Sequence, residues 1–217
     1  MKPLLLIGNK NYSSWSLRAW LLLRHAGIEF DERRISLSTP AGDAALAAET
    51  PAGLVPVLRD GEVTVWESLA IAEYVAERVP GLWPEEPGER ALARSLSAEM
   101  HAGFAALRHA LPMNCRARGR QVTLDAAAAR DVARVQRLWT ACRERSRGKG
   151  PWLFGRFGVV DAMYAPVASR FATYAITGNG PVTEYVAGVL GDPHVREWYA
   201  AAAAEPEVIE EEEVGVA

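Results

Sequence analysis

No apolar run in this chain of 217 residues approaches the ~18–20 residues that a membrane-spanning helix needs. No membrane partner is therefore expected. There are only two cysteines, Cys115 and Cys142, and they form neither a disulfide framework nor a CxxC pair. Cys142 falls on an apolar helical stripe and reads as a small buried hydrophobe rather than a nucleophile. The four histidines, His25, His101, His109 and His194, lack metal-ligand spacing such as HExxH, so no metal is expected. The opening Met-Lys-Pro and the short run Leu4–Ile7 do not make a signal peptide, which leaves the cytoplasm as the expected compartment. Arg116, Arg118 and Arg120, with Arg143, Arg145, Arg147 and Lys149, have no interleaved aromatics. They read as solvated faces, and no nucleic acid is expected.

What is present suits a globular fold, with 49% hydrophobic and 24% charged residues. The net charge of −3 conceals six glutamates between residues 205 and 213, a segment that reads as a solvated, frayed terminus. The first part alternates strand and helix signals. Leu4–Ile7 is a strand, Trp15 to Ala26 a helix, Phe30 to Ile35 a strand, and Pro40-Ala41-Gly42 opens a short helix. Val57–Leu58 and Val63–Trp66 flank Asp60-Gly61 as a hairpin, and helix resumes over 67–79. A breaker-rich stretch from Val79 to Gly88 follows. Beyond it, Leu92, Leu96, Met100, Phe104, Leu107 and Leu111 predict one helix of about five turns. Val132, Val135, Leu138, Trp139 and Cys142 predict another, and residues 159–176 a third that contains Pro166. The expected organisation is an α/β domain over 1–79, a linker over 80–88 and an all-helical domain over 89–217 with the acidic tail.

Two segments carry the chemistry. TPAGLVPVL, residues 50–58, puts Val55 before Pro56 at the opening of a strand, where a cis X–Pro bond fits. WESLAIAEYV, residues 66–75, starts a helix at Glu67-Ser68, where exposed N–H groups and the dipole hold an anion. A peptide backbone gripped on one side and a carboxylate on the other predict a tripeptide site.

With VPVL, ESLAIAEYV and GRFGVVDAMYAP (155–166) in this order and spacing, the chain resembles the cytosolic glutathione transferase superfamily over nearly its whole length. The resemblance implies a thioredoxin-like α/β N-terminal domain, an all-α C-terminal domain, a homodimer, and glutathione used against a small hydrophobic or electrophilic substrate. It implies that Val55 pairs through its backbone with the cysteinyl part of glutathione. Glu67 and Ser68 would hold the γ-glutamyl amine and carboxylate. The loop Asn9 to Arg18 resembles the serine-using zeta, tau and phi classes, whose active serine stands five residues before an arginine. Ser13 has that spacing to Arg18, with Tyr12 and Ser14 as other donors to the sulfur. By residue type alone, a serine before a helix is more often an N-cap than a donor to a ligand. Trp15, Met113 and Asn114 are the expected wall of the electrophile pocket.

Three departures from the family stand out. The zeta class, which isomerises maleylacetoacetate, has cysteine where this chain has Trp15. Leu54 replaces the lysine, arginine or glutamine that contacts the glycyl carboxylate in many members. Gly158 replaces the serine or threonine that opens the capping motif of the helical domain. The alternative functions are a non-catalytic binding or regulatory protein on the same fold and a zeta-like glutathione-dependent isomerase.

Overall fold

Alternate residues of the apolar run Leu4–Ile7 (β1) point to opposite faces, and both faces are covered. Leu5 and Ile7 join the main core, while Leu6 packs with Ile35 and Val57 against Ala45 and Leu46. The structure is a computed structural model that describes residues 2–216. β1 is an inner strand of a four-stranded sheet of order β2-β1-β3-β4. Asp31–Arg34 (β2) runs parallel to β1, with Leu4 opposite Asp31. Val57–Asp60 (β3) is antiparallel to β1, with Leu5 opposite Leu58, and Val63–Trp66 (β4) completes the hairpin. The edge strand β2 reads Asp-Glu-Arg-Arg and is exposed throughout, a charged edge that resists further pairing.

Ser14–His25 (α1) is the crossover from β1 to β2, and Pro40–Glu49 (α2) covers the opposite face. Ser68–Ala76 (α3) packs beside α1. The helical part follows as Pro87–Ala102 (α4), Ala105–Ala110 (α5), Ala126–Arg145 (α6), Val159–Thr173 (α7), Gly180–Gly191 (α8) and Pro193–Ala203 (α9). All residues of α7 but Ala172 are buried, and it packs on α1, α4 and α8, so one apolar core joins the sheet to the helices. Asp161 in its first turn accepts the N–H of Gly158 and of Leu153, each at 3.0 Å, and the Tyr185 hydroxyl at 3.1 Å. A side chain at 158 would place Cβ 2.6 Å from the Leu82 carbonyl, which accounts for glycine at that N-cap. None of the described helices is long and apolar enough to cross a membrane.

Two expectations are corrected. The helix over 92–111 is two helices, because Gly103 is extended and Phe104 sits at φ 55°. The apolar spacing continues across the break since both pieces face the same core. The acidic terminus is also not frayed. Glu205 accepts the main-chain N–H of Lys10 and Asn11, Glu207 pairs with Arg34, and Glu213 takes Tyr12, Asn114 and Arg120. Arg116, expected on a solvated face, donates to the carbonyls of Glu205 and Glu207 and to the Tyr12 hydroxyl.

Candidate active site

The loop after β1 turns sharply into α1, with the N–H of Ser13 bonded to the Asn9 carbonyl at 2.8 Å. Ser13 is the N-cap, its hydroxyl 3.4 Å from the N–H of Ser16. The Ser13 and Ser16 hydroxyls share a 2.7 Å hydrogen bond, and Ser16 also accepts the N–H of Gly8 at 3.0 Å. Rotating both hydroxyls reverses the shared bond and frees the Ser13 hydrogen for an acceptor in the cleft. The Ser14 hydroxyl accepts Nη2 of Arg170 at 3.3 Å, leaving its own hydrogen to donate. Tyr12 is committed elsewhere, donating to Glu213 at 2.6 Å. Burial, then this bond to Glu213, raises its pKa.

A second wall comes from the turn before β3. The Val55–Pro56 bond is cis. Across from it, Glu67 takes φ 70° as the residue before α3, backbone that a non-glycine residue adopts only at a cost of about 1–3 kcal/mol. The next residue, Ser68, is buried and its hydroxyl has no partner in the protein. An orphaned hydroxyl on the first turn of α3 lies beside main-chain N–H groups that also lack helical partners.

Two neighbouring cavities share Trp15, Leu54 and Val55. One of about 290 Å³ reaches Pro56, Trp66, Glu67 and His101. The other, about 330 Å³, reaches Ser13, Ser14, Arg108, Arg170 and Glu212. Val55, Glu67, Ser13 and Trp15 thus converge on one cleft, and Ser68, next after Glu67 in the chain, is buried and lines neither cavity. Leu54 lines both cavities and is 60% exposed. Met113 and Asn114 line neither: both are buried, and Asn114 holds Glu213 and the turn at Arg116. Met113 and Asn114, expected in the pocket wall, thus lie outside both cavities, while Arg108 lines the second.

His101, Arg108, Arg170 and Glu212 were not anticipated as cleft residues. His101 Nε2 lies 3.6 Å from Glu67, and burial lowers its pKa against the opposing pull of that carboxylate. The signal in the sequence was Arg170, a lone cation in the apolar stretch Val167 to Thr173. Both thiols are inert, burial pushing Cys115 up to about 12 and Cys142 to about 11.

The order of parts in this cleft is matched by two family models, the glutathione S-transferase N-terminal domain over residues 12–78 and C-terminal domain over 125–201. The chain belongs to the glutathione S-transferase family. Among the relatives of this transferase-family chain is a probable maleylacetoacetate isomerase of Vibrio cholerae, 36% identical over 98 residues, covering 41% of this chain and 46% of the relative. The maleylacetoacetate isomerase of Rattus norvegicus is 31% identical over 113 residues, covering 50% of this chain and 51% of the relative. The chain thus spans about half the length of the curated relatives it matches. A Burkholderia glutathione transferase homolog crystallised with bound glutathione has the same fold, with a TM-score of 0.69 at 24% identity, covering 94% of this chain and 100% of that one.

Proposed function

We propose that the protein is a glutathione transferase that activates the glutathione thiol against a small electrophile. The observation that carries this reading is the orphaned Ser68 hydroxyl at the start of α3, next to strained Glu67 and across the cleft from the Val55–Pro56 turn. In this reading Val55 pairs with the cysteinyl backbone, and Glu67 and Ser68 hold the γ-glutamyl end. The sulfur then lies at the start of α1. A free thiol with a pKa near ~8.5 is only slightly ionised at pH 7, and lowering that by about two units takes roughly 2.7 kcal/mol. The Ser13 hydroxyl and the amides of the first turn of α1 supply it by donating to sulfur as charge develops. Ser16 positions Ser13 through their shared hydrogen bond.

A second reading, a glutathione-dependent isomerase, draws on the two isomerase relatives, with Trp15 as the departure from that class. The same thiolate serves either chemistry. We further infer a homodimer, supported by the apolar side chains that β4 leaves open: Trp66 is 45% and Val63 43% exposed. The decisive test is calorimetric titration with glutathione, followed by turnover of an electrophile panel. Absence of both heat and thermal shift at millimolar glutathione ends the transferase reading.

A further inference from the structure

Of the described residues that line the 290 Å³ cavity, only Glu67 and His101 carry titratable side chains. They come from different elements: Glu67 stands at φ 70° before α3, and His101 lies in the last turn of α4. His101 Nε2 is 3.6 Å from a Glu67 carboxylate oxygen, a contact that is an ion pair only when the ring is protonated. Trp15 meets the imidazole edge to face, with ring centres 5.2 Å apart. The other ring nitrogen, Nδ1, is buried and has no hydrogen-bond partner. The charged groups that act on the ring are Glu67 from the start of α3, Arg18 from α1 and Arg108 from α5, while α7, which packs along α4, contributes none. Burial lowers the pKa of His101 first, Glu67 opposes it, and the two arginines lower it further. Protonation puts a hydrogen on both ring nitrogens. The one on Nε2 turns the approach to Glu67 into an ion pair, and the one on Nδ1 finds no acceptor. The neutral ring leaves the Glu67 carboxylate open to the cavity; the charged ring claims it.

We propose that His101 gates Glu67: the neutral ring leaves the carboxylate free to hold the γ-glutamyl amine of glutathione, and the protonated ring pairs with the carboxylate and repels the amine. This rests on the glutathione reading for what Glu67 binds. The consequence is a site that loosens in mild acid with no change in the thiol chemistry at Ser13. Between pH 5 and 7 the amine of glutathione stays largely protonated and its carboxylates ionised, so the ligand end that faces Glu67 keeps its charge. The imidazole is the group that changes there. Proton binding at His101 and amine binding at Glu67 oppose each other, so affinity falls as pH falls through the histidine's pKa. The Glu67 side chain is 49% exposed, and solvent screening keeps the effect moderate. His101 is a positioning residue that acts through Glu67.

The test is calorimetric titration with S-methylglutathione at pH 7 and pH 5, a ligand chosen because it has no thiol to ionise. Wild type should bind it roughly threefold to tenfold more weakly at pH 5, as for one proton displaced from a partly exposed pair. At the lower pH, binding should release a proton, read as a dependence of the heat on the buffer's ionisation enthalpy. His101→Gln should remove most of the difference between the two pH values, with thermal melts at both confirming that the variant folds. An NMR titration of the wild-type protein reads the ring directly, and His101 should titrate at a lower pH with the ligand bound than without it. Equal affinity of wild type at both pH values overturns the gate. So does a folded His101→Gln variant that keeps the full difference, or a His101 ring that titrates at the same or a higher pH in the complex. No heat at either pH ends the glutathione reading and the gate with it, whereas heat at both with equal affinity ends the gate alone.

Discussion

Glu205 accepts the main-chain N–H of Lys10 at 2.7 Å and of Asn11 at 3.1 Å, tying the start of the C-terminal segment to the loop that delivers Ser13. The carboxylate is 8% exposed, so water does not replace these bonds when it is removed. Glu205→Ala should therefore destabilise the fold by about 2–4 kcal/mol, the cost of two orphaned donors. Urea unfolding checks this, and a loss under 0.5 kcal/mol would mean that the segment merely rests on the loop.

Ser68 offers a sharper test of recognition because its hydroxyl has no partner within the protein. Ser68→Ala should leave the melting temperature near that of wild type. It should weaken glutathione by about 1.5–3 kcal/mol, as for a hydrogen bond to a charged group. Calorimetry showing unchanged affinity would remove Ser68 from the site.

For the thiol, Ser13→Ala should cut turnover roughly tenfold to a thousandfold, the effect of losing one preorganised donor. Because the hydroxyl favours the charged sulfur, the pH of half-maximal rate should move up towards the free-thiol value near ~8.5. Ser14→Ala is the comparison, since Ser14 has a free hydrogen beside Arg170. If only Ser14→Ala slows turnover, the donor is Ser14 and Ser13 is a cap.

Acid stability should report on Glu207, which the bond from Arg34 above all, then its own main-chain N–H and Ser36, hold down at about 2 against an ordinary value of 4.5. A depressed carboxylate pKa contributes stability that is present in full above the unfolded value and lost as pH falls through the folded one. The stability difference between wild type and Glu207→Gln should thus be flat above about pH 5 and shrink between about 4.5 and 2. A difference that persists unchanged at pH 2 would assign the effect to packing. The side chain is 25% exposed, so the contribution is modest.

The assembly is checked by sedimentation. A homodimer predicts twice 23.6 kDa. Val63→Lys on exposed β4 should favour the monomer without lowering glutathione affinity. A concentration-independent monomer for wild type would rule out the dimer.

Local rules were enough for much of the fold. The run Leu4–Ile7, the Asp60-Gly61 turn, the alternation of strand and helix and the change to helices alone are set by periodicity and turn chemistry within a few residues. The positions of Val55, Glu67 and Ser13 around one cleft were legible for the same reason, since each sits at the end of an element whose start or stop has a local signal. Only the tertiary structure decided the rest. The 3.6-residue stripe of Leu92 to Leu111 runs unbroken through Gly103 because periodicity records which side is apolar and not whether the backbone continues. Arg108, beyond the break, lines the cleft, and Met113 and Asn114 are buried. Six glutamates near the end read as a solvated tail until Lys10, Arg34, Arg116 and Arg120, distant in sequence, came within hydrogen-bond reach of that segment. Charge pairing depends on distance in space, and no spacing along the chain encodes it.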